Sequence, residues 1–222
     1  LERNAFLYAG DILCDEQDFE FDDAGENEQI KKKLEIPNIK DILKPNQEIM
    51  VQVLKQPGGT KGARVTTHVT LPGRLLVLMP TVDHVGVSRR VEDEAVRERL
   101  KALVTRIKPE HMGVILRTAA EHATEEEIAT ELHFYVRLWG RICDKADFLT
   151  APRLIHAEEN LLFRTVRDLF TDDVSEFIIN DKDCFEKITA LVNIISPGMA
   201  DRLTLYEGEE NIFDYYSLED KI

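Results

Sequence analysis

A chain of 222 residues, 43% hydrophobic and 32% charged, has the mix of a folded globular protein and the length of one large domain or two to three small ones. No apolar run approaches the ~18 residues that span a bilayer, and no basic-then-apolar leader opens it. With 28 Lys and Arg against 42 Asp and Glu, the formal charge of -14 by itself disfavours a polyanionic partner.

The charge is unevenly spread. Acidic residues crowd the stretch from Asp15 to Glu28 and the tail from Glu207 to Asp220, whereas Thr60 to Ala120 carries eleven Lys or Arg against six Asp or Glu. An acidic protein can therefore hold a basic face. Cys14, Cys143 and Cys184 are far apart in sequence, which excludes a CxxC metal site, argues against a disulfide framework and fits a reducing cytoplasm.

In chain order, the first seventy residues read as β. Ala5 to Leu7 is a short apolar stretch, followed by the acidic insert as a loop. Ile49 to Leu54 and Ala63 to Val69 are rich in β-branched residues that alternate with polar ones, as in half-buried strands, and Gln56 to Gly62 is the turn between them. Leu75 to Met79 is a buried strand. Glu92 to Ile107 switches to helical period, with Val96, Leu100, Leu103, Val104 and Ile107 on one stripe. Val114 to Leu116 returns to strand. Thr124 and Glu127 form a capping box ahead of a long helix with Ile128, Leu132, Tyr135, Trp139 and Ile142 on its apolar side. Pro152 marks a joint. Beyond it come a helix over Glu159 to Phe170, a strand over Glu176 to Ile179, a helix over Asp183 to Ile195 and a strand over Arg202 to Tyr206, a small α/β layer.

Two places could carry chemistry. An exposed Phe6 would offer a base a flat platform, with Lys55 and Lys61 holding phosphates beside it, which is the logic of single-strand binding; a core position is the plainer reading of a Phe. In Gly113 to Ala120 a strand ends in Arg117 and Thr118 before two small residues. The planar guanidinium of Arg117 matches a phosphate and the hydroxyl of Thr118 adds a donor, although surface arginines are common. Ser88-Arg89-Arg90 adds two cations. Six scattered histidines form no HxxxH or HExxH pair, and Asp172, Asp173 and Asp181 read as turn residues before they read as magnesium ligands.

The segments LERNAFL, PNIKDIL, GTKGARVTTHVTLPGRLLVLMP, HVGVSRR, GVILRTAA, YVRLWGR, FRTVRDLF and LYEGEENIFDYY, in this order and over nearly the whole chain, resemble the ribonuclease E/G family, with HVGVSRR closer to its ribonuclease G branch. The resemblance implies an α+β multidomain chain. Residues 1–67 would be a partial S1 domain, an OB-type β-barrel. Residues 68–162 would be an α/β 5′-sensor domain, and residues 163–222 part of an RNase H-like α/β subdomain. It further implies that Arg117 and Thr118 grip the 5′-monophosphate of RNA, that the backbone of Gly73 approaches that phosphate, that Val77 supplies an apolar platform for the terminal base, and that Phe6 and Lys61 hold single-stranded substrate.

By the same resemblance, the intact parent would be a cytoplasmic, Mg2+-dependent, homo-oligomeric endoribonuclease of RNA processing and decay. Its catalytic domain and zinc-binding Cys pair would follow Ile222, so this chain, which opens on Leu1, is expected to be an inactive internal fragment with no bound metal. The rival readings are a non-catalytic S1-type RNA-binding regulator and a protein-interaction scaffold.

Overall fold

The computed structural model describes residues 4–12, 38–157, 161–171 and 173–218. Cys14, the acidic stretch from Asp15 to Glu28 and Asp172 lie outside the described residues. The chain is a mixed α+β protein that divides into two compact units, Leu1–His156 and Ala157–Ile222.

The first unit begins with a three-stranded sheet in the order β1-β3-β2, where β1 is Phe6–Leu7, β2 is Gln52–Lys55 and β3 is Arg64–Thr66. Strand β3 is central, parallel to β1 and antiparallel to β2. Both long strands expected here are shorter than their apolar patterns. Strand β2 starts only at Gln52, whose side chain exchanges hydrogen bonds with the backbone of Thr70 (2.8 and 3.0 Å), while Ile49 and Val51 remain exposed. Strand β3 stops at Thr66 because Thr67 N–H turns to the carbonyl of Asp11 and the Thr66 hydroxyl accepts the N–H of His68. A one-turn helix α1, Ile39–Ile42, is capped by the Asn38 side chain.

A four-stranded sheet follows, in the order β4-β5-β7-β6: β4 is Leu71–Pro72, β5 Leu76–Met79, β6 Val85–Val87 and β7 Gly113–Leu116. Strands β5 and β7 are antiparallel and every residue in both is buried, the pattern of a strand covered on two faces. One face, with Leu76, Leu78, Val114 and Leu116, packs on Leu100, Leu103 and Val104 of helix α2 (Glu94–Ile107) and on Ile128, Leu132 and Ile142 of helix α3 (Glu125–Asp147). The other gathers Val77, Met79, Val82 and Ile115.

Strand β6 carries no recognisable run in the sequence. Its three residues surround a glycine and become a strand by parallel pairing with β7. A Cβ on Gly86 would stand 3.3 Å from Ile115 Cγ1, so the glycine lets β6 lie close. Helix starts follow the sequence closely. Asp93 caps α2 by accepting from Ala95 and Val96, and the Thr124–Glu127 capping box opens α3.

The second unit holds helix α4 (Leu161–Leu169), strand β8 (Phe177–Ile179), helix α5 (Lys182–Ile195), strand β9 (Leu203–Leu205) and a short helix α6 (Ile212–Tyr215). Strands β8 and β9 pair in parallel across α5, so the expected β-α-β layer is present. Its core is Val166, Phe170, Ile179, Ile188, Val192, Met199 and Leu203. Among the described residues, no helix is long and apolar enough to cross a membrane.

Leu132 stands at the centre of the first unit's core and is fully buried. Leu132→Ala is expected to lower unfolding stability by about 2–5 kcal/mol. Urea denaturation followed by circular dichroism measures this, and a loss under about 1 kcal/mol would mean that the site collapses around the smaller side chain.

Candidate functional site

Strand directions decide which side chains meet. Strands β6 and β7 are parallel, with Val87 opposite Leu116, so the residues that follow each leave the sheet at one end. These are Ser88-Arg89-Arg90 after β6 and Arg117-Thr118 after β7. Strand β5 runs the other way, with Leu76 opposite Leu116, which brings the turn Gly73–Leu76 to that same end. Four arginines, at 74, 89, 90 and 117, are thus delivered to one edge by three segments that are distant in sequence. The carboxyl ends of strands in open sheets are where ligands commonly sit.

Arg117 has extended backbone, and its N–H bonds the carbonyl of Leu75 at 2.8 Å, continuing the β5–β7 ladder one step beyond the strand. Its Nη1 donates to the carbonyl of Gly73 at 2.7 Å, which aims the guanidinium across the turn. Thr118 begins a short 3-10 turn, Thr118–Ala120, and is half-buried beside the exposed Ala119. Arg89 and Arg90 are exposed, while Ser88 before them is buried; the Ser88 N–H bonds Leu116 and its carbonyl accepts from Arg97 Nη1, both at 2.7 Å.

Gly73 is engaged more tightly than expected. Its N–H donates to Leu76 at 2.7 Å and its carbonyl accepts from Arg117. A Cβ there would fall 1.9 Å from Glu131 Oε1, 2.7 Å from Tyr135 Cε2 and 2.8 Å from the backbone carbonyl oxygen of Leu76, which cannot move aside as a side chain can, so the position suits glycine. Val77 lies one ladder step further in and is 5% exposed, among Met79, Val82 and Ile115. The structure places it in the sheet rather than on an open face beside Arg117.

Glu131 was invisible as a site residue in the sequence. It is 5% exposed on the sheet-facing side of α3. Both of its oxygens accept the N–H of Leu75, at 3.0 and 3.1 Å, and the N–H groups of Leu76 and Arg74 also bond it. One helical turn on, the Tyr135 hydroxyl donates to the carbonyl of Pro72 at 3.0 Å. Its signal is positional. Glu131 is three residues after Ile128 and four before Tyr135, inside an otherwise apolar arc. The Glu131 carboxyl is pushed up to about 7: burial raises it, and the three N–H groups with the nearby Arg74 charge offset only part of that rise.

On the first sheet, Phe6 is 62% exposed, as a stacking platform requires. Lys61 is exposed at the tip of the β2–β3 hairpin, where it exchanges backbone hydrogen bonds with Gly58. That hairpin is held beside β1, because Phe6 N–H bonds Ala63 at 2.7 Å and a Cβ on Gly62 would stand 1.8 Å from the Asn4 carbonyl. Arg64, which sequence reasoning passed over, is in register with Phe6 on one side and Lys55 on the other. Its guanidinium pairs with the buried carboxylate of Asp11 at 3.3 Å.

Of the carboxylates considered for magnesium, Asp173 and Asp181 lie among the described residues and have other partners. Asp181 caps α5 by accepting the Cys184 N–H at 2.7 Å, and Asp173 accepts the Thr171 hydroxyl. Among the described residues, no three His, Cys, Asp or Glu side chains stand together as a metal site.

The chain is thus an α+β protein with an exposed Phe6 beside cations on one sheet and a cation-rich end on another. The comparison with known proteins makes the class specific. Residues 70–222 match the Ribonuclease E/G family, and the chain belongs to that family. It is 40% identical over 222 residues to Ribonuclease G of Haemophilus influenzae and 35% identical over 222 residues to Ribonuclease G of Escherichia coli K12, in both cases covering 100% of this chain and 44% of the relative. To Ribonuclease E of Haemophilus influenzae it is 37% identical over 187 residues, 84% of this chain and 20% of that protein. The chain thus spans less than half the length of these relatives.

Glu131 also leaves a mark on stability. A carboxyl that holds its proton more tightly when folded stabilises the fold below its ordinary value of 4.5, and that contribution is lost as pH rises to about 7. The loss is on the order of 3 kcal/mol. Glu131→Gln is expected to remove this slope from urea-denaturation stabilities collected between about pH 4.5 and 7. An unchanged slope would mean that the carboxyl titrates as an ordinary exposed one.

Proposed function

We propose that this chain is the RNA-gripping part of a single-strand-specific endoribonuclease of RNA processing and decay, and that it senses the 5′-monophosphate of its substrate. The observation that carries this reading is the arrival of Arg117 and Thr118 at one sheet end with Arg89 and Arg90, the guanidinium of Arg117 being fixed by the Gly73 carbonyl. A guanidinium held in one orientation loses little freedom on meeting a phosphate, and a charge-assisted bond to it is among the stronger ones available.

The residues divide the work. Phe6 stacks a base of the single strand, and Lys61, with Lys55 and Arg64, follows its phosphates. Arg117 and Thr118 enclose the terminal phosphate. In this reading the backbone at Gly73 approaches the phosphate, a pocket bounded by Arg117 and Thr118 excludes anything bulkier than a monophosphate, and Val77, 5% exposed, would have to be uncovered to serve as a platform for the terminal base. In this reading residues 1–67 act as an S1-type domain, 68–162 as a 5′-sensor domain and 163–222 as an RNase H-like scaffold. Two weak holds on one strand reinforce each other, because engagement of the first raises the effective concentration of the second. The cutting step belongs to the portion of such proteins that this chain does not span, in a soluble, cytoplasmic parent.

Binding of a short RNA ending in 5′-monophosphate or 5′-hydroxyl tests the pocket. The chain is expected to prefer the monophosphate by roughly tenfold or more, and Arg117→Ala to erase that preference. Equal binding of the two RNAs by the unaltered chain overturns it. Phe6→Ala and Lys61→Ala are expected to weaken both RNAs alike, and Lys61→Ala to flatten the logarithmic salt dependence by about 0.7. Absence of binding at every salt concentration, by a chain folded according to circular dichroism, would point to a protein scaffold instead.

A further inference from the structure

We infer that Glu131 is the positioning residue of the phosphate pocket: its buried carboxylate gathers the N–H groups of Arg74, Leu75 and Leu76 in the turn that follows Gly73 and so holds the Gly73 carbonyl where it aims Arg117. The inference rests on the proposed role of Arg117 and Thr118 at the RNA 5′ end, and it adds a group that touches no RNA.

The geometry is a relay of three contacts. Glu131 projects from α3 into the sheet-facing core and takes the Leu75 N–H on both oxygens. The turn drawn onto it has Gly73 at its first position, bare of a Cβ because Glu131 Oε1 would lie 1.9 Å from one. The carbonyl of that glycine then accepts Arg117 Nη1 at 2.7 Å. Arg117 is additionally tied to the turn by its own N–H, bonded to Leu75. Successive backbone N–H groups that converge on one point form an anion-binding nest, and here a carboxylate of the protein occupies it.

An apolar residue at 131 would leave those N–H groups buried without their acceptor, which a turn relieves by rotating its peptides. The Gly73 carbonyl would move with them. Protonation of Glu131 acts in the same direction more mildly, since it removes the charge that the N–H groups and Arg74 favour. Among the described residues, Arg74 on the turn is the charge that acts on the carboxylate; Glu127 and Tyr135 stand one turn before and after it on α3, and Arg117 reaches the same turn through the Gly73 carbonyl. The carboxyl's elevated value, about 7, puts its titration within an accessible range.

The test uses the 222-residue chain as wild type, Glu131→Gln and Arg117→Ala. Each binds a 3′-labelled RNA with a 5′-monophosphate or a 5′-hydroxyl, across pH values from about 5.5 to 8.5, a window that contains the second ionisation of a phosphate near 6. For wild type the monophosphate-to-hydroxyl affinity ratio is expected to rise through a midpoint near 7, above the midpoint near 6 set by the phosphate itself. Glu131→Gln should lower the ratio at the alkaline end by roughly tenfold, return the midpoint to about 6 and leave hydroxyl-RNA binding within about twofold. A merely structural residue would instead weaken both RNAs and leave the midpoint alone.

If Glu131→Gln keeps both the wild-type ratio and its midpoint while Arg117→Ala loses the preference, the pocket stands and the role of Glu131 is overturned. If wild type itself shows no preference at any pH, the pocket fails and the inference with it. Should Glu131→Gln not fold by circular dichroism, Glu131→Asp takes its place, since it keeps the charge but withdraws it from the turn by one methylene: a lowered monophosphate-to-hydroxyl ratio with hydroxyl-RNA binding unchanged supports the inference, and an unchanged ratio overturns it.

Discussion

The antiparallel pairing of β5 with β7 sets the position of nearly everything else in the first unit. Both strands are buried along their whole length, so neither can slip without moving apolar side chains from one face to the other. Their register, Leu76 opposite Leu116, puts the start of one strand and the end of the other at the same level. The parallel addition of β6 then brings a third chain segment out at that level. A cation-rich sheet end is a consequence of strand direction: Arg89 and Arg90 emerge exposed where the sheet stops, while Arg74 and Arg117 are half-buried beside the turn.

The helices contribute more than a cover for the sheet. Helix α3 buries Ile128, Leu132 and Ile142 against it, and the same packing carries Glu131 and Tyr135 to the β4–β5 turn. A buried carboxylate is expensive unless it is well hydrogen-bonded, and the turn supplies the donors. The exchange is mutual. The carboxylate is satisfied by backbone that would otherwise lack acceptors, and the turn gains a single defined shape. A similar arrangement recurs on the first sheet, where the buried Asp11 holds Arg64 beside Phe6 by a 3.3 Å ion pair. In both places an acid in the interior fixes a cation or a backbone near the surface, which lets an acidic chain hold cations in defined positions.

Much of this was legible beforehand and some was not. The two long helices follow from apolar period and the start of the second from the Thr124–Glu127 capping box, because those signals are local; the first helix, read from Glu92, begins at Glu94 with Asp93 as its cap. Strands β5 and β7 announce themselves as short apolar runs. Strand β6 does not, since Val85–Val87 is a strand only by virtue of its neighbour. The apolar run at Ile49 to Leu54 overstated β2 because Gln52, not an apolar residue, fixes where pairing begins. Val77 illustrates the limit of reading by resemblance, which assigns it a role but is silent on its burial.

The sequence by itself determined the helices, the buried strands, the glycine at 73 and the presence of Arg117 and Thr118 at a strand end, because each is a local pattern of residue type and spacing. It also carried enough of the family's segments, spread along the chain, to identify the family. Only the tertiary structure decided that Gly73 is required by Glu131, that Arg117 is aimed by a carbonyl 44 positions earlier in the chain, and that Arg64 stands between Phe6 and Lys55. Those relations depend on strand register and helix docking, which bring together residues with no sequence signal in common.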